Sequence, residues 1–190
     1  MPESDGQLYL RFLNEGDEEA LRILFEEYKE SLTLFINGFV DNLDDAEDLM
    51  MDTFAILASG TARYVEKREG TFKTWLFSIG KNQARMFIRK KKFGFISLDD
   101  DEIREITDAE ESQPDFAILK NERRAAIFQA LNEIKDDYKQ VLYLAYFEDM
   151  KPEQISRVMK ISPKQTYNLI TRGKTALKGA LEKKGFSWNI

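Results

Sequence analysis

The chain has 190 residues, a formal net charge of −6, and neither cysteine nor histidine. Disulfides, Cys nucleophiles, His-based triads and metal sites built on thiolate or imidazole are therefore excluded. Apolar residues make up 43% of the sequence, enough for one large core or two small ones. No secretory signal pattern opens the sequence and no apolar run approaches the ~18 residues of a membrane span, so we expect a cytoplasmic protein without membrane insertion.

The charge is arranged in four blocks of alternating sign. Lys and Arg against Asp and Glu number 3 to 15 in residues 1–57, 10 to 2 in residues 58–93, 1 to 9 in residues 94–115 and 14 to 8 in residues 116–190. Charged solvent faces are common in helical proteins, but four alternating blocks indicate separate surfaces with separate partners. They also motivate the hypothesis of a closed free protein, in which acidic blocks mask basic faces.

Apolar residues at spacings of three and four predict helices in the first 60 residues. One such pattern covers residues 21–35 and follows Asp17, a suitable N-cap. Asp44 is the expected cap of the next helix, since it precedes an acidic first turn and an apolar face. Gly60 is expected to end that helix.

Residues 70–92 read GTFKTWLFSIGKNQARMFIRKKK, in which aromatic and cationic side chains interleave over about six helical turns. On a helix, Trp75, Leu76 and Ile79 fall on an apolar face that we predict to be core. Cations four residues apart repel each other within a helix, so an anionic partner such as a phosphate backbone better explains the opposite face. That face comprises Lys81, Asn82, Arg85, Arg89 and Lys90.

Two aromatic residues, Tyr64 and Phe77, lie off this apolar face. They could stack on unpaired bases, an interaction worth ~1 to 3 kcal/mol per base. Burial against neighbouring helices is an equally weighted alternative.

Residues 94–115 read GFISLDDDEIREITDAEESQPD, whose weak periodicity and heavy negative charge predict a flexible acidic linker. Helical spacing resumes after it, and no alternating pattern is long enough to predict a strand. We therefore predict an all-α protein of two small helical domains, residues 1–93 and 116–190, the second winged-helix-like and tetrahelical.

The segment KPEQISRVMKISPKQTYNLITRGKTALKGAL, residues 151–181, predicts a helix-turn-helix. Pro152 suits a first helical position, Lys160 and Ile161 form the bend, and Ser162 suits the N-cap of the second helix. The second helix of such a motif reads bases in the major groove. The candidate base readers are Lys164, Gln165, Tyr167 and Asn168, and the candidate phosphate contacts are Arg172, Lys174 and Lys178. A plain helical hairpin is the alternative, which the basic excess of this region disfavours.

Three stretches resemble, in order, the bacterial alternative sigma factors of the extracytoplasmic-function (ECF) group. They are DAEDLMMDTF (45–54), FKTWLFSIGKNQARMFIRKKK (72–92) and ALNEIKDDYKQVLYLAYFEDMKPEQISRVMKIS (130–162). The resemblance implies a non-enzymatic subunit that binds core RNA polymerase and directs promoter-specific transcription initiation. The partners it implies are core polymerase, promoter DNA and an anti-sigma factor, with no cofactor, metal or small-molecule substrate.

The resemblance also assigns roles to residues. Docking on core polymerase is implied for Asp45, Glu47, Asp48, Met51 and Phe54, as surface or support. Binding and melting of the −10 promoter element, with a base flipped from the stack, is implied for the second stretch and the loop before it. Together with the stacking candidates these are Tyr64, Lys67, Arg68, Thr71, Phe77, Lys81, Asn82, Arg85, Arg89 and Lys90. Reading of the −35 element is implied for Lys164, Gln165, Tyr167, Asn168, Arg172 and Lys174, while the linker is implied to run through the polymerase.

The chain departs from the family pattern at a few positions. Met86 stands where the family often has Asp, and Lys135 stands where a Leu-Pro pair is usual. Gln165, Thr166 and Tyr167 replace a common Thr-Val-Lys run, which indicates an altered −35 specificity.

Two alternative functions compete with this interpretation. A free-standing helix-turn-helix regulator with an amino-terminal sensing or dimerisation domain would not need a cationic, aromatic-bearing helix. An acid-dependent hydrolase using carboxylates such as Asp44 and Asp45 has little support, because a helix amino terminus explains that acidic run.

Overall fold

The computed structural model describes residues 3–65, 71–94 and 122–185. These ranges hold eight α-helices and no strand, which confirms the predicted all-α class. The helices are α1 (Asp5–Glu15), α2 (Glu18–Val40), α3 (Leu43–Ala58), α4 (Phe72–Gly94), α5 (Glu122–Leu131), α6 (Asp136–Tyr146), α7 (Pro152–Met159) and α8 (Pro163–Lys183). All but the first residue of the predicted linker lies outside the described residues, as do Lys67 and Arg68.

Local capping explains where the first helices begin. Asp17 caps α2 as predicted, since its Oδ1 accepts the backbone N–H of Glu19 at 3.1 Å. The expected cap of α3 is wrong: Asn42, not Asp44, accepts the N–H of Asp45 at 2.8 Å. A capping oxygen must lie two or three residues before the N–H that it accepts, so Asp44 already belongs to the first turn.

The first domain is a bundle of α1 to α4 around an aromatic cluster. The Tyr9 ring lies 5.2 Å from Trp75 and 5.4 Å from Phe72, measured between ring centroids. The Tyr9 hydroxyl donates to the Leu57 carbonyl at 3.1 Å and so ties α1 to the end of α3. Gly80 lets α4 approach α2 closely, because a Cβ at this position would lie 2.8 Å from Leu32 Cδ1.

The second domain consists of α5 to α8, with α8 packed on the other three. Its core is formed by the buried apolar residues Leu142, Ile155, Val158 and Leu177. Gly173 allows α8 to approach α6, since a Cβ there would lie 3.1 Å from Leu142.

The two domains pack against each other along α4 with α7 and along α2 with α6. At the second contact, the rings of Phe35 and Tyr143 stack with centroids 6.1 Å apart. The two domains are therefore in contact, a closed arrangement that positions the candidate site. The hypothesis that acidic blocks mask the basic faces stays a prediction.

Candidate nucleic-acid interface

A cleft of about 1220 Å³ separates the cationic part of α4 from the start of α8. Residues of α4 that line it include Arg85 and Arg89, and residues of α8 include Asn168 and Arg172. The predicted −10 and −35 surfaces therefore border one cleft in this arrangement.

The predicted cations of α4 fall into two classes. Arg85, Arg89 and Lys90 are exposed, as contact with a phosphate backbone would require. Asn82 is half-buried, and its Oδ1 accepts a hydrogen bond from Lys160 Nζ of the second domain at 3.2 Å. Lys81 is only 3% exposed. The predicted cationic face of α4 is therefore continuous in residue spacing, but only part of it is accessible to solvent.

The Lys81 ammonium is buried at the carboxyl end of α7. It donates to the carbonyls of Val158, at 3.1 Å, and Met159. The last four carbonyls of a helix lack hydrogen-bond donors within the helix and carry partial negative charge. An ammonium supplies both a donor and a positive charge at this end. Burial, followed by the charges of Arg85 and Lys160, lowers the Lys81 pKa to about 8.

The structure buries both predicted stacking residues. Phe77 is 0% exposed and packs between Phe35 and Tyr28, with centroids 5.2 and 6.5 Å away. Tyr64 joins the Tyr9 cluster, at 5.8 Å in edge-on geometry. In this arrangement both residues are packed against neighbouring helices, which was the alternative to base stacking. Base stacking by either residue stays a prediction, and it would require this region to rearrange.

Thr71, at the start of α4, is exposed and also touches the second domain. Its hydroxyl lies 3.0 Å from that of Thr74 and accepts from Gln154 Nε2 at 3.4 Å. The described part of the loop predicted to bind the −10 element therefore contacts the helix-turn-helix.

The helix-turn-helix is built as the sequence predicts. Pro152 is at N1 of α7, Lys160 adopts the left-handed conformation with φ 55°, and Ser162 caps α8. The Ser162 Oγ accepts the N–H of Gln165 at 3.2 Å, while Gln165 Oε1 accepts the N–H of Ser162 at 3.0 Å. Gln165 is exposed, but its amide oxygen is engaged in this capping box, so bidentate reading of adenine requires the box to open.

The other candidate residues of α8 face solvent. Lys164, Asn168 and Arg172 are exposed. The Tyr167 hydroxyl donates to Glu153 Oε1 at 3.0 Å, a bond that raises the Tyr167 pKa and links the two helices of the motif. Lys174 Nζ lies 5.7 Å from the centroid of the Tyr146 ring, over its face.

The predicted polymerase-binding residues lie on α3. Glu47 and Asp48 are exposed, and the apolar side chain of Met51 is 54% exposed beside them. Asp45 is partly covered and lies 3.7 Å from Lys91 Nζ of α4. Phe54 is buried edge-on against Phe25, so within the predicted set it supports the surface and does not form it.

Several residues that the sequence did not single out bridge the two domains. Lys73 Nζ reaches the Glu148 carboxylate at 2.8 Å and its carbonyl at 3.0 Å. Tyr143 donates its hydroxyl to the Ser31 carbonyl at 2.9 Å, and Gln140 donates to the Gly38 carbonyl at 3.4 Å. Lys139 pairs with Asp41 at 3.3 Å. Side-chain donors on one domain thus meet mainly main-chain acceptors on the other, a pairing that no sequence pattern marks.

Other kinds of site were also sought in the part of the chain that the structure describes. There, no group of three or more Asp, Glu, His or Cys side chains is placed to hold a metal ion. No helix in the same ranges has the length and apolar character needed to cross a membrane.

Two family models match the chain. The model of sigma-70 region 2 matches residues 24–93, which include α4, and the model of sigma-70 region 4 matches residues 124–177, which include the helix-turn-helix. The chain belongs to the sigma-70 family. It is an RNA polymerase sigma factor of the ECF group, as the resemblance implied.

Its relatives match along most of their length. The RNA polymerase sigma-H factor of Pseudomonas aeruginosa is 28% identical, and the match covers 95% of both chains. The ECF RNA polymerase sigma factor SigW of Bacillus subtilis is 24% identical, covering 90% of this chain and 94% of that one.

Solved structures share the fold. CnrH, in complex with the cytosolic domain of CnrY, matches 95% of this chain and 99% of its own with a TM-score of 0.65 at 20% identity. RpoE of Bartonella quintana, in complex with the anti-sigma factor NepR, matches 85% of this chain and 96% of its own with a TM-score of 0.59 at 18% identity.

Proposed function

We propose that this sigma factor docks on core RNA polymerase through the exposed face of α3, melts the −10 element with α4 and reads the −35 element with α8. The observation that carries the proposal is the presence of an exposed cationic helix face in each matched region, with Arg85 and Arg89 in one and Lys164 and Arg172 in the other. Nucleic-acid affinity depends chiefly on such cations.

The proposed division follows the sequence. Residues 1–93 form the polymerase-binding and −10 domain, residues 94–115 the acidic linker, and residues 116–190 the −35 domain. The protein acts as a non-catalytic subunit in the cytoplasm. An anti-sigma factor is a further proposed partner, because RpoE, which shares the fold, is bound to one in its solved structure.

The test is reconstitution with bacterial core polymerase. The purified chain should form a stable complex with core polymerase and yield discrete run-off transcripts from genomic DNA, which core polymerase alone does not. Tight binding to duplex DNA combined with no association with core polymerase would instead favour the free-standing helix-turn-helix regulator.

A further inference from the structure

We propose that Gln165 selects guanine in the −35 element, because the capping box at the start of α8 leaves its side-chain amide only hydrogen-bond donors to offer to DNA. Asn168, whose identical amide group is free, selects adenine instead. The inference rests on the proposed function and deepens it, since it names the bases that two residues of α8 read.

The amide oxygen of Gln165 is occupied inside its own helix. Gln165 Oε1 accepts the backbone N–H of Ser162 at 3.0 Å and the Ser162 hydroxyl at 3.1 Å. An amide oxygen has two lone pairs, so these two bonds use its full acceptor capacity. The Ser162 hydroxyl oxygen in turn accepts the backbone N–H of Gln165 at 3.2 Å, which completes the box.

The amide nitrogen of Gln165 keeps both of its N–H donors. The oxygen and nitrogen of an amide are assigned from their partners, and the backbone N–H of Ser162 requires the oxygen on its side. Among the residues that the structure describes, none accepts a hydrogen bond from Gln165 Nε2, and the side chain is exposed. The amino-terminal part of a recognition helix is the part that meets base edges. Gln165 therefore brings two donors and no free acceptor to the major groove.

Guanine is the base that fully matches such a group. Its major-groove edge carries two acceptors, N7 and O6, whereas adenine places the N7 acceptor beside the N6 amino donor. Thymine offers the single acceptor O4, and cytosine offers the N4 amino donor. Reading adenine would require Gln165 Oε1 to accept from N6, which breaks the capping box and leaves the Ser162 N–H without its partner. We therefore expect guanine to be favoured over adenine about tenfold at this base pair.

Asn168 carries the same amide group in a different setting. It lies almost one turn further along α8 and is exposed, and no residue that the structure describes bonds to its side chain. Its free oxygen and nitrogen can therefore meet adenine N6 and N7 together, which is the usual pairing of asparagine. Three residues of helix rise about 4.5 Å, close to the ~3.4 Å between base pairs, so the two amides reach neighbouring base pairs.

The capping box does not depend on how the two domains are arranged. All of its bonds join Ser162 and Gln165, three residues apart in sequence at the start of α8. Pro163 lies between them at N1, where its fixed φ suits the first helical position. Movement of α8 away from α4 across the cleft therefore leaves the box intact, and the same two donors reach DNA.

Base preferences of the complex between this chain and core polymerase test the assignment. A promoter found by run-off transcription is randomised over its −35 element, and the fragments that the complex binds are sequenced. Gln165→Glu is the decisive variant, because glutamate also forms capping boxes at this position and keeps the acceptor that the Ser162 N–H needs. It replaces the two free donors with a carboxylate oxygen. The preference at one base pair should therefore change from guanine to cytosine, whose N4 amino group donates.

Asn168→Ala is the matched control. It should abolish the adenine preference at the neighbouring base pair and leave the guanine preference unchanged. Two results would overturn the inference: a parent preference for adenine at the base pair that Gln165→Glu alters, or no base pair whose preference differs between Gln165→Glu and the parent. Association with core polymerase is scored separately by pull-down. If the chain does not bind core polymerase, the same selection with the chain alone on randomised duplex DNA distinguishes the same outcomes.

Discussion

Arg85 and Arg89 extend from α4 as exposed cations one helical turn apart, at the surface proposed to hold the melted −10 strand. Replacing both with Glu reverses four units of charge where the strand must lie. We expect the double variant to lose open-complex formation by at least a hundredfold while binding core polymerase normally. Permanganate footprinting and a pull-down measure the two properties separately. Loss of polymerase binding would show that this face is misassigned.

Met51 offers the sharpest test of the polymerase-binding surface. Its apolar side chain is 54% exposed beside Glu47 and Asp48. Burial of such a residue in an interface is worth ~1.5 to 3 kcal/mol, so Met51→Glu should weaken core binding by at least tenfold. Ile23→Glu is the matched control, since Ile23 is 40% exposed on α2 and lies outside the predicted surface. Equal losses from both variants in a fluorescence-anisotropy titration would contradict the assignment.

The residue spacing along α4 predicted which cations lie on one face of the helix, but not which of them are exposed to solvent. Successive positions four residues apart advance about 400° around a helix, so a stripe drifts by some 40° at each step. Lys81 therefore meets α7, whereas Arg85 and Arg89 reach solvent. The contact of α4 with α7 is long-range in sequence, and a local pattern carries no information about it.

At the scale of the elements, Gly80 sets the approach of α4 to α2. Gly80→Ala brings a Cβ to 2.8 Å from Leu32, a residue with no exposed surface, whereas Gly179→Ala in α8 meets nothing within 4 Å. Both changes gain the same helix propensity, about 1 kcal/mol, so their difference isolates the close contact.

We expect Gly80→Ala to be less stable than Gly179→Ala by about 1 to 3 kcal/mol, the usual cost of overpacking. Urea unfolding followed by circular dichroism measures the difference. Equal urea midpoints would mean that α4 can move away from α2 without loss of stability.

The elements that carried explicit signals were predictable from the sequence. Pro152 and Ser162 fixed the helix-turn-helix because proline and serine have strong positional preferences at helix starts. Helix α1 was not predicted, although Ser4 and Gln7 form a capping box at its start. It shifted the cap of α3 because several acidic residues follow Asn42 and any of them could serve.

For the whole molecule, the Lys81 pKa of about 8 links closure to pH. Below pH 8 the residue is protonated in both states. Between pH 8 and its ordinary value of 10.5 it is neutral when closed and charged when open, so closing releases a proton. Raising the pH through this window therefore favours the closed state, by up to about tenfold per pH unit.

The chain has no cysteine, so Ala58→Cys and Thr175→Cys, both at exposed positions, place one spin label on each domain. Distances between the two labels should shift towards the closed form between pH 7 and pH 9.5. In Lys81→Met the dependence should disappear, because the titrating group is gone. A pH dependence of the distances that persists in Lys81→Met would show that another group releases the proton on closing.

The acceptors that close the molecule are largely backbone oxygens, those of Ser31, Gly38, Glu148, Val158 and Met159. Every amino acid supplies such an oxygen, so evolution can replace the acceptor residues without removing the bond. Donor and acceptor positions are then under no pressure to change together. Paired substitutions in related sequences would not register this interface, and a closed form could persist across a lineage while leaving no covariation behind.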